Sequence, residues 1–247
     1  MLEIAMFPAL WRNRNYGFLL HDAETGETAC IDTPELDPIL GALEARGWRL
    51  TQLWNTHHHF DHVGANAALA ERYPGLRIVG NAEDAARIPG LTDPVRGGET
   101  FRFGRHAVHV LDTPGHTIGH VCYHVPDAHG GEGACFVGDT LFVMGCGRLF
   151  EGTPEQMHAS LARITALPPA TRLYCAHEYT LSNAKFAVTV DGGNEDMLAA
   201  IAEAEAKQAR DIPTVPTTVA RERATNPFVR AGSAAELGRI RALKDAF

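Results

Sequence analysis

The chain has 247 residues, 45% hydrophobic and 21% charged, with a formal net charge of −8; this is a globular composition with room for one large domain or one with a smaller appendage. No stretch approaches the ~20 unbroken apolar residues of a membrane span, and the N-terminus lacks a basic region, apolar core and small-residue cleavage site, so a soluble, cytoplasmic chain with no membrane partner is expected. Five widely spaced cysteines (Cys30, Cys122, Cys135, Cys146, Cys175) without a CxxC pair point to reduced, buried thiols rather than a disulfide framework or thiolate zinc site.

In chain order, residues 2–6, 16–21 and 28–31 read as short strands separated by turn-prone Asn, Asp and Gly. Asp37, followed by Pro38, caps a helix with the apolar stripe Ile39, Leu40 and Leu43, stopped by Gly47. A strand over 50–54 runs into Thr56-His57-His58-His59-Phe60-Asp61-His62, and a helix over 63–72 follows. Side chains alternate along an extended segment, so His57 and His59 point one way and His58 the other. His57 and His59 can then hold one metal ion together, while Asp61 and His62, at the turn into the helix, can reach a second. The plainer alternative makes Asp61 a helix N-cap in a polar loop; borderline and hard metal ligands at this density, however, seldom occur without an ion.

Residues 77–79 form another strand, and strand–helix alternation predicts helices packed on a sheet. After Gly90 the pattern becomes hairpin-like, with strands over 99–103, 106–111, 121–125 and 134–137 and turn clusters at 97–98 and 127–133. Pro154 opens a helix to 166, and 172–175 is one more strand. Beyond it the chain reads as helical, with an Ala- and Glu-rich run over 195–210 and a capping box, Ser233 and Glu236, for a last helix over 234–243. The chain therefore divides into an α/β part, 1–174, and a helical appendage, 175–247.

Three of these strands are followed at once by a ligand type: His116 in Pro114-Gly115-His116-Thr117, Asp139 in Gly138-Asp139-Thr140, and His177 in Ala176-His177-Glu178. Ligands at successive strand ends converge on one sheet edge, and a carboxylate with two oxygens can bridge two ions. His106, His109, His124, His129 and His158 read as structural, and His120, four residues after His116, as a second-layer candidate at most. Charge is uneven: residues 221–247 hold six basic residues against three acids, +3, leaving −11 on the rest. A local basic patch on an acidic body suits a small anionic ligand rather than nucleic acid.

The motifs THHHFDH, PGHTIGH, GDTLF and AHEYT resemble those of the metallo-β-lactamase-fold hydrolases. That resemblance implies an αββα metallo-β-lactamase-like sandwich, here with a smaller C-terminal helical domain. It also implies a ligand set, with His57, His59 and His116 on one metal, Asp61, His62 and His177 on the other, and Asp139 bridging. Gly145-Cys146-Gly147-Arg148, HEYT, TVPTT, TNPFVR and the final RALKDAF extend the likeness over nearly the whole chain to the glyoxalase II (hydroxyacylglutathione hydrolase) family. The family resemblance implies hydrolysis of S-D-lactoylglutathione to D-lactate and glutathione, the second step of methylglyoxal detoxification. Arg148, Tyr179, Arg241 and Lys244 match residues that hold glutathione, the last two at its glycine carboxylate. Phe150 stands where the family often has a tyrosine, removing a hydroxyl contact; Asn55, Ala65 and Arg14-Asn15-Tyr16 also depart from common forms.

The ligand types also suggest the chemistry. Two ions ~3.5–4 Å apart would share a water whose pKa falls to about 7, supplying the nucleophile, with Asp61 orienting it. A thiolate leaving group, with a pKa of about 8.5, needs little general-acid help. Zinc is the expected metal pair, with iron or manganese tolerated by the same ligands, and nothing demands more than a monomer. The rivals are a mononuclear iron sulfur dioxygenase acting on glutathione persulfide, a metallo-nuclease, which the acidic body disfavours, and a non-catalytic metal module, which would close its coordination shell.

Overall fold

Alternating burial along the first strands separates two cores. In the computed structural model, which describes residues 2–10 and 15–247, strands β1 (Leu2–Ala9), β2 (Asn15–Asp22), β3 (Glu27–Ile31), β4 (Gln52–Trp54), β5 (Arg77–Asn81) and β6 (Asp93–Val95) lie side by side in chain order. The first three are antiparallel and β3 to β6 run parallel. Phe18, Leu20, Ala29, Ile31, Trp54 and Val79 enter the larger core; the intervening Leu19, Cys30, Leu53 and Ile78 enter a smaller one, closed by Ile39 and Leu43 of α1 (Leu36–Glu44) and Leu69 of α3 (Asn66–Arg72).

The second sheet has the order β14 (Thr217–Thr218), β13 (Arg172–Cys175), β10 (Ala134–Gly138), β9 (Val121–Val125), β8 (His106–Asp112) and β7 (Thr100–Phe103). It meets the first around Trp54, whose indole lies edge-on to Phe101 and Phe103 and tilted to Tyr123. Behind it α4 (Pro154–Thr165) packs on β8 and supports α7 (Val219–Thr225) and α8 (Ala234–Ala246), while α5 (Thr180–Asp191) packs with α6 (Glu195–Gln208). Helix, sheet, sheet, helix is the expected αββα order, and the C-terminal region is helical apart from β14. Among the described residues no helix is long and apolar enough to cross a membrane, and all five cysteines are buried thiols.

Several boundaries differ from expectation. The helix expected over 63–72 is broken into α2 (Phe60–Val63) and α3, because the Ala65 amide bonds to the Thr33 carbonyl at 2.9 Å instead of continuing the helical ladder. Asp37 lies in the first turn of α1, not at its cap, which is Glu35; an acid there still favours the positive end of the helix. At α8 the Ser233 hydroxyl accepts from the Glu236 amide, but the Glu236 carboxylate reaches back to the Gly232 amide rather than that of Ser233.

Candidate metal centre

The histidine motif leaves β4 at Trp54 and enters α2 at Phe60, so it lies at the carboxyl edge of the first sheet. His58 turns away from its neighbours, as alternation requires, and meets Asp84 at 3.2 Å. Hydrogen bonds at the back of each ring set its inner nitrogen. His57 Nδ1 lies 3.0 Å from the Thr56 hydroxyl, which itself donates to Asp32, and His116 Nδ1 lies 2.9 Å from the Arg148 carbonyl. With protons on those Nδ1 atoms, the lone pairs of His57 Nε2 and His116 Nε2 both face His59 Nδ1, each at 3.0 Å. Three imidazole nitrogens converging at this spacing form a donor set suited to bonds of about 2.0–2.1 Å to one ion.

Beside this set, the ligand atoms of Asp61, His62 and His177 lie within 4.8 Å of one another. Asp61 Oδ2 is 3.8 Å from His62 Nε2 and 3.5 Å from His177 Nε2. Asp139 stands between the sets: Oδ2 is 3.5 Å from His116 Nε2, whereas Oδ1 is 3.4 Å from His62 Nε2 and 3.3 Å from His177 Nε2. His62 Nε2 is fully buried and makes no hydrogen bond, a costly state that a metal ion would relieve. The donor set therefore fits two divalent ions sharing one carboxylate.

Several residues support the ligands: Asp32 carries no signal in the sequence, whereas Asn15 and Asn55 stand out only as departures from the family pattern and His120 only as a second-layer candidate. Asp32 accepts from the Thr56 amide, the Thr56 hydroxyl and His62 Nδ1, all at 2.8 Å, giving a carboxylate–histidine pair that fixes the His62 tautomer. Asn15 donates to Asp61 Oδ2 at 3.2 Å, so this departure from the family pattern touches a ligand. Asn55 holds the His62 carbonyl at 2.9 Å, and the buried Ala65 caps α3; Arg14 lies outside the described residues. His120 is fully buried: Nε2 accepts from the Asp139 amide at 3.1 Å and Nδ1 meets the Thr113 and Thr140 hydroxyls. Gly138 adopts φ 48°, and a Cβ there would come within 2.5 Å of the Thr56 hydroxyl; only glycine delivers Asp139 from that turn. His106, His109, His124, His129 and His158, read as structural, lie outside the clusters of potential ligands.

Burial keeps the first set neutral. It pushes His57 well below the ordinary imidazole range, His59 down to about 4 and His116 down, with neighbouring imidazoles reinforcing the effect at His57 and His59. Burial acts the same way on His62 and His177, but nearby carboxylates, Asp139 foremost, outweigh it and raise both, His62 to about 9. Burial alone would raise Asp139, and the summed pull of His177, His62 and His116 instead holds it far below the usual carboxylate range.

The residues expected to hold substrate fall around this centre unequally. Phe150, 62% exposed, lies edge-on to His59 and His116, and Tyr179 stacks on His177 with centroids 4.7 Å apart and planes 2° apart. Arg241 is buried: Nη1 donates to the Cys146 carbonyl and Nη2 to Asp245, both at 2.9 Å. Lys244 is half-buried, donates to the Ser182 carbonyl at 3.2 Å and caps the Phe186 ring. Arg148 is exposed, with Nε 3.4 Å from Asp245. Arg148 and Lys244 are thus the reachable cations, and Arg241 an internal strut beneath them.

A metallo-beta-lactamase superfamily model matches residues 20–177, and a model for the hydroxyacylglutathione hydrolase C-terminus matches 178–247. A protein named hydroxyacylglutathione hydrolase from Maricaulis maris is 52% identical over 229 residues, 93% of this chain and 87% of its own. The chain belongs to the hydroxyacylglutathione hydrolase family. Among solved structures, ETHE1 from Myxococcus xanthus superposes with a TM-score of 0.73 at 28% identity, covering 97% of this chain and 90% of its own. A second, TTHA1623 described in a di-iron-bound form, gives 0.64 at 27% identity over 90% and 99%. Family membership accounts for the His and Asp cluster and for the added helical region together: this is a metallo-hydrolase with a divalent-metal site.

Proposed function

We propose that the chain hydrolyses 2-hydroxyacyl thioesters of glutathione, S-D-lactoylglutathione foremost, to the hydroxy acid and glutathione, the second step of methylglyoxal detoxification. The observation that carries the reading is Asp139, whose two oxygens face two different ligand sets. His57, His59 and His116 would hold one ion, Asp61, His62 and His177 the other, and zinc best suits this nitrogen-rich set, with iron or manganese tolerated. Bound there, the ions supply an acidified water and polarise the thioester carbonyl.

The protein's own groups do the rest. Asp61, whose Oδ2 accepts from Asn15, would accept a hydrogen bond from the attacking hydroxide and orient it. Phe150 and Tyr179, packed beside the ligand histidines, would line the path of the glutathione moiety, and Phe150 offers it no hydroxyl. Arg148 and Lys244 take the carboxylates of glutathione, with Arg241 holding the Cys146 turn beneath them. Attack at the carbonyl carbon breaks its bond to sulfur, and the thiolate leaves without a dedicated acid because its pKa is about 8.5.

The test is to measure metal bound per chain, then assay S-D-lactoylglutathione hydrolysis beside oxygen uptake with glutathione persulfide. Two ions per chain and hydrolysis abolished by chelation are expected. Oxygen-dependent turnover without hydrolysis would overturn the reading.

A further inference from the structure

Asp84 follows β5 at the edge where the ligands gather, is fully buried, and belongs to neither ligand set. Its carboxylate accepts from His58 Nδ1 at 3.2 Å and from Arg87 Nε at 3.2 Å. Arg87 Nη1 then reaches Glu151 Oε1 at 2.5 Å and His58 Nε2 at 3.2 Å. Glu151 Oε2 accepts from the Ile118 amide at 2.8 Å. The loop carrying His116 presses against Asp84 as well: a Cβ on Gly119 would come within 2.4 Å of that carboxylate, and Asn81 donates to the Gly119 carbonyl at 3.0 Å.

The segment that carries Glu151 also carries Arg148 and Phe150, and it is laced to the same loop. Besides the His116 Nδ1 bond to the Arg148 carbonyl, the Phe150 amide donates to the His116 carbonyl at 3.2 Å and the Gly152 amide to the Gly115 carbonyl at 3.1 Å. One guanidinium thus joins three pieces of chain: the end of β5, the histidine motif at His58, and the substrate-facing segment. Only a planar fork can address Asp84, Glu151 and His58 at once; an ammonium has the charge without the geometry.

We propose that Asp84, Arg87 and Glu151 form a clamp of positioning residues that couples the first ion's ligands, His59 and His116, to the segment bearing Arg148 and Phe150. This rests on the two-ion hydrolase reading and extends it, since the clamp touches neither ion nor substrate. Outer partners of metal ligands typically change affinity or activity by roughly 10–100-fold when removed.

The experiment compares zinc-loaded wild type with Arg87→Lys, Glu151→Gln and Arg87→Met by chelator titration, steady-state kinetics and amide exchange, the last with and without zinc. In Arg87→Lys one ion should weaken by roughly 10–100-fold while the other changes little. KM for S-D-lactoylglutathione should rise more than kcat falls. The Ile118 and Phe150 amides should exchange faster even without zinc, while those of β9 and β10 are unchanged. Retention of both ions at native affinity, equal weakening of both, or unaltered exchange at Ile118 and Phe150 would each overturn the clamp. If Arg87→Met does not fold, the other two variants carry the same readouts. A wild type holding a single ion would sink the two-ion reading, and exchange and KM would still decide the clamp.

Discussion

Asp139 stands between the two ligand sets, each of its oxygens facing a different one. Asp139→Ala should lose bound metal and nearly all turnover, by metal analysis and assay; full metal content with wild-type activity would show that the carboxylate bridges nothing. Among the cations, burial and then the Arg241 charge bring Lys244 down to about 8. Its ammonium is intact below that pH and lost above it, so KM should rise as pH passes upward through about 8, with kcat little changed. Lys244→Ala should raise KM already at neutral pH, since remote binding is largely uniform between ground and transition states; a KM independent of both changes would remove Lys244 from the binding site. Stability runs the opposite way. A lysine pKa depressed in the fold means that the charged form disfavours folding below about 8, and the cost is relieved as pH rises toward the unfolded value.

At the scale of elements, the turn between β11 (Leu141–Phe142) and β12 (Gly145–Cys146) joins the metal centre to the helices behind it. It follows Asp139 directly, and buried Glu222 on α7 holds it by accepting from the Met144 amide, the Thr217 hydroxyl and the Asn226 side chain. Glu222→Ala strands these donors and should cost about 3 kcal/mol, seen as a Tm roughly 6–12 °C lower; a Tm within about 2 °C of wild type would mean that the turn is held by other contacts. Elements of this kind were hard to read from the sequence. Strand ends followed by His57, His116, Asp139 and His177 were legible because a ligand type after an apolar run is a local pattern. Asp32 carries no such signal, being a lone acid more than twenty residues before its histidine, brought to His62 only by the pairing of β3 with β4. The break after α2 depends on the distant Thr33 carbonyl, and β14 is too short for any period to show. Among the substrate candidates, the family resemblance pointed to Arg241 but could not reveal that the helix turns it inward.

Across the whole molecule, the two ligand sets draw on both sheets: His57, His59, Asp61 and His62 follow β4 of the first, while His116, Asp139 and His177 follow β8, β10 and β13 of the second. Metal should therefore fasten one sheet to the other. Chelation should lower Tm as well as activity, by an amount set by ~4 kcal/mol for each ion present at a thousand times its Kd; a Tm unmoved by chelator would mean that the sheets hold together without metal. The small strand β14 has a further consequence. The family models meet between residues 177 and 178, yet β14 comes from beyond that point and completes the sheet along β13, and Phe186, Phe228 and Leu237 sit in the same core as Trp54 and Tyr123. Cutting the chain there would strip an edge from the sheet and lay open its interior, so neither piece should fold alone. Scanning calorimetry should therefore record a single transition; two separate transitions would mean that the regions matched by the two family models loosen independently.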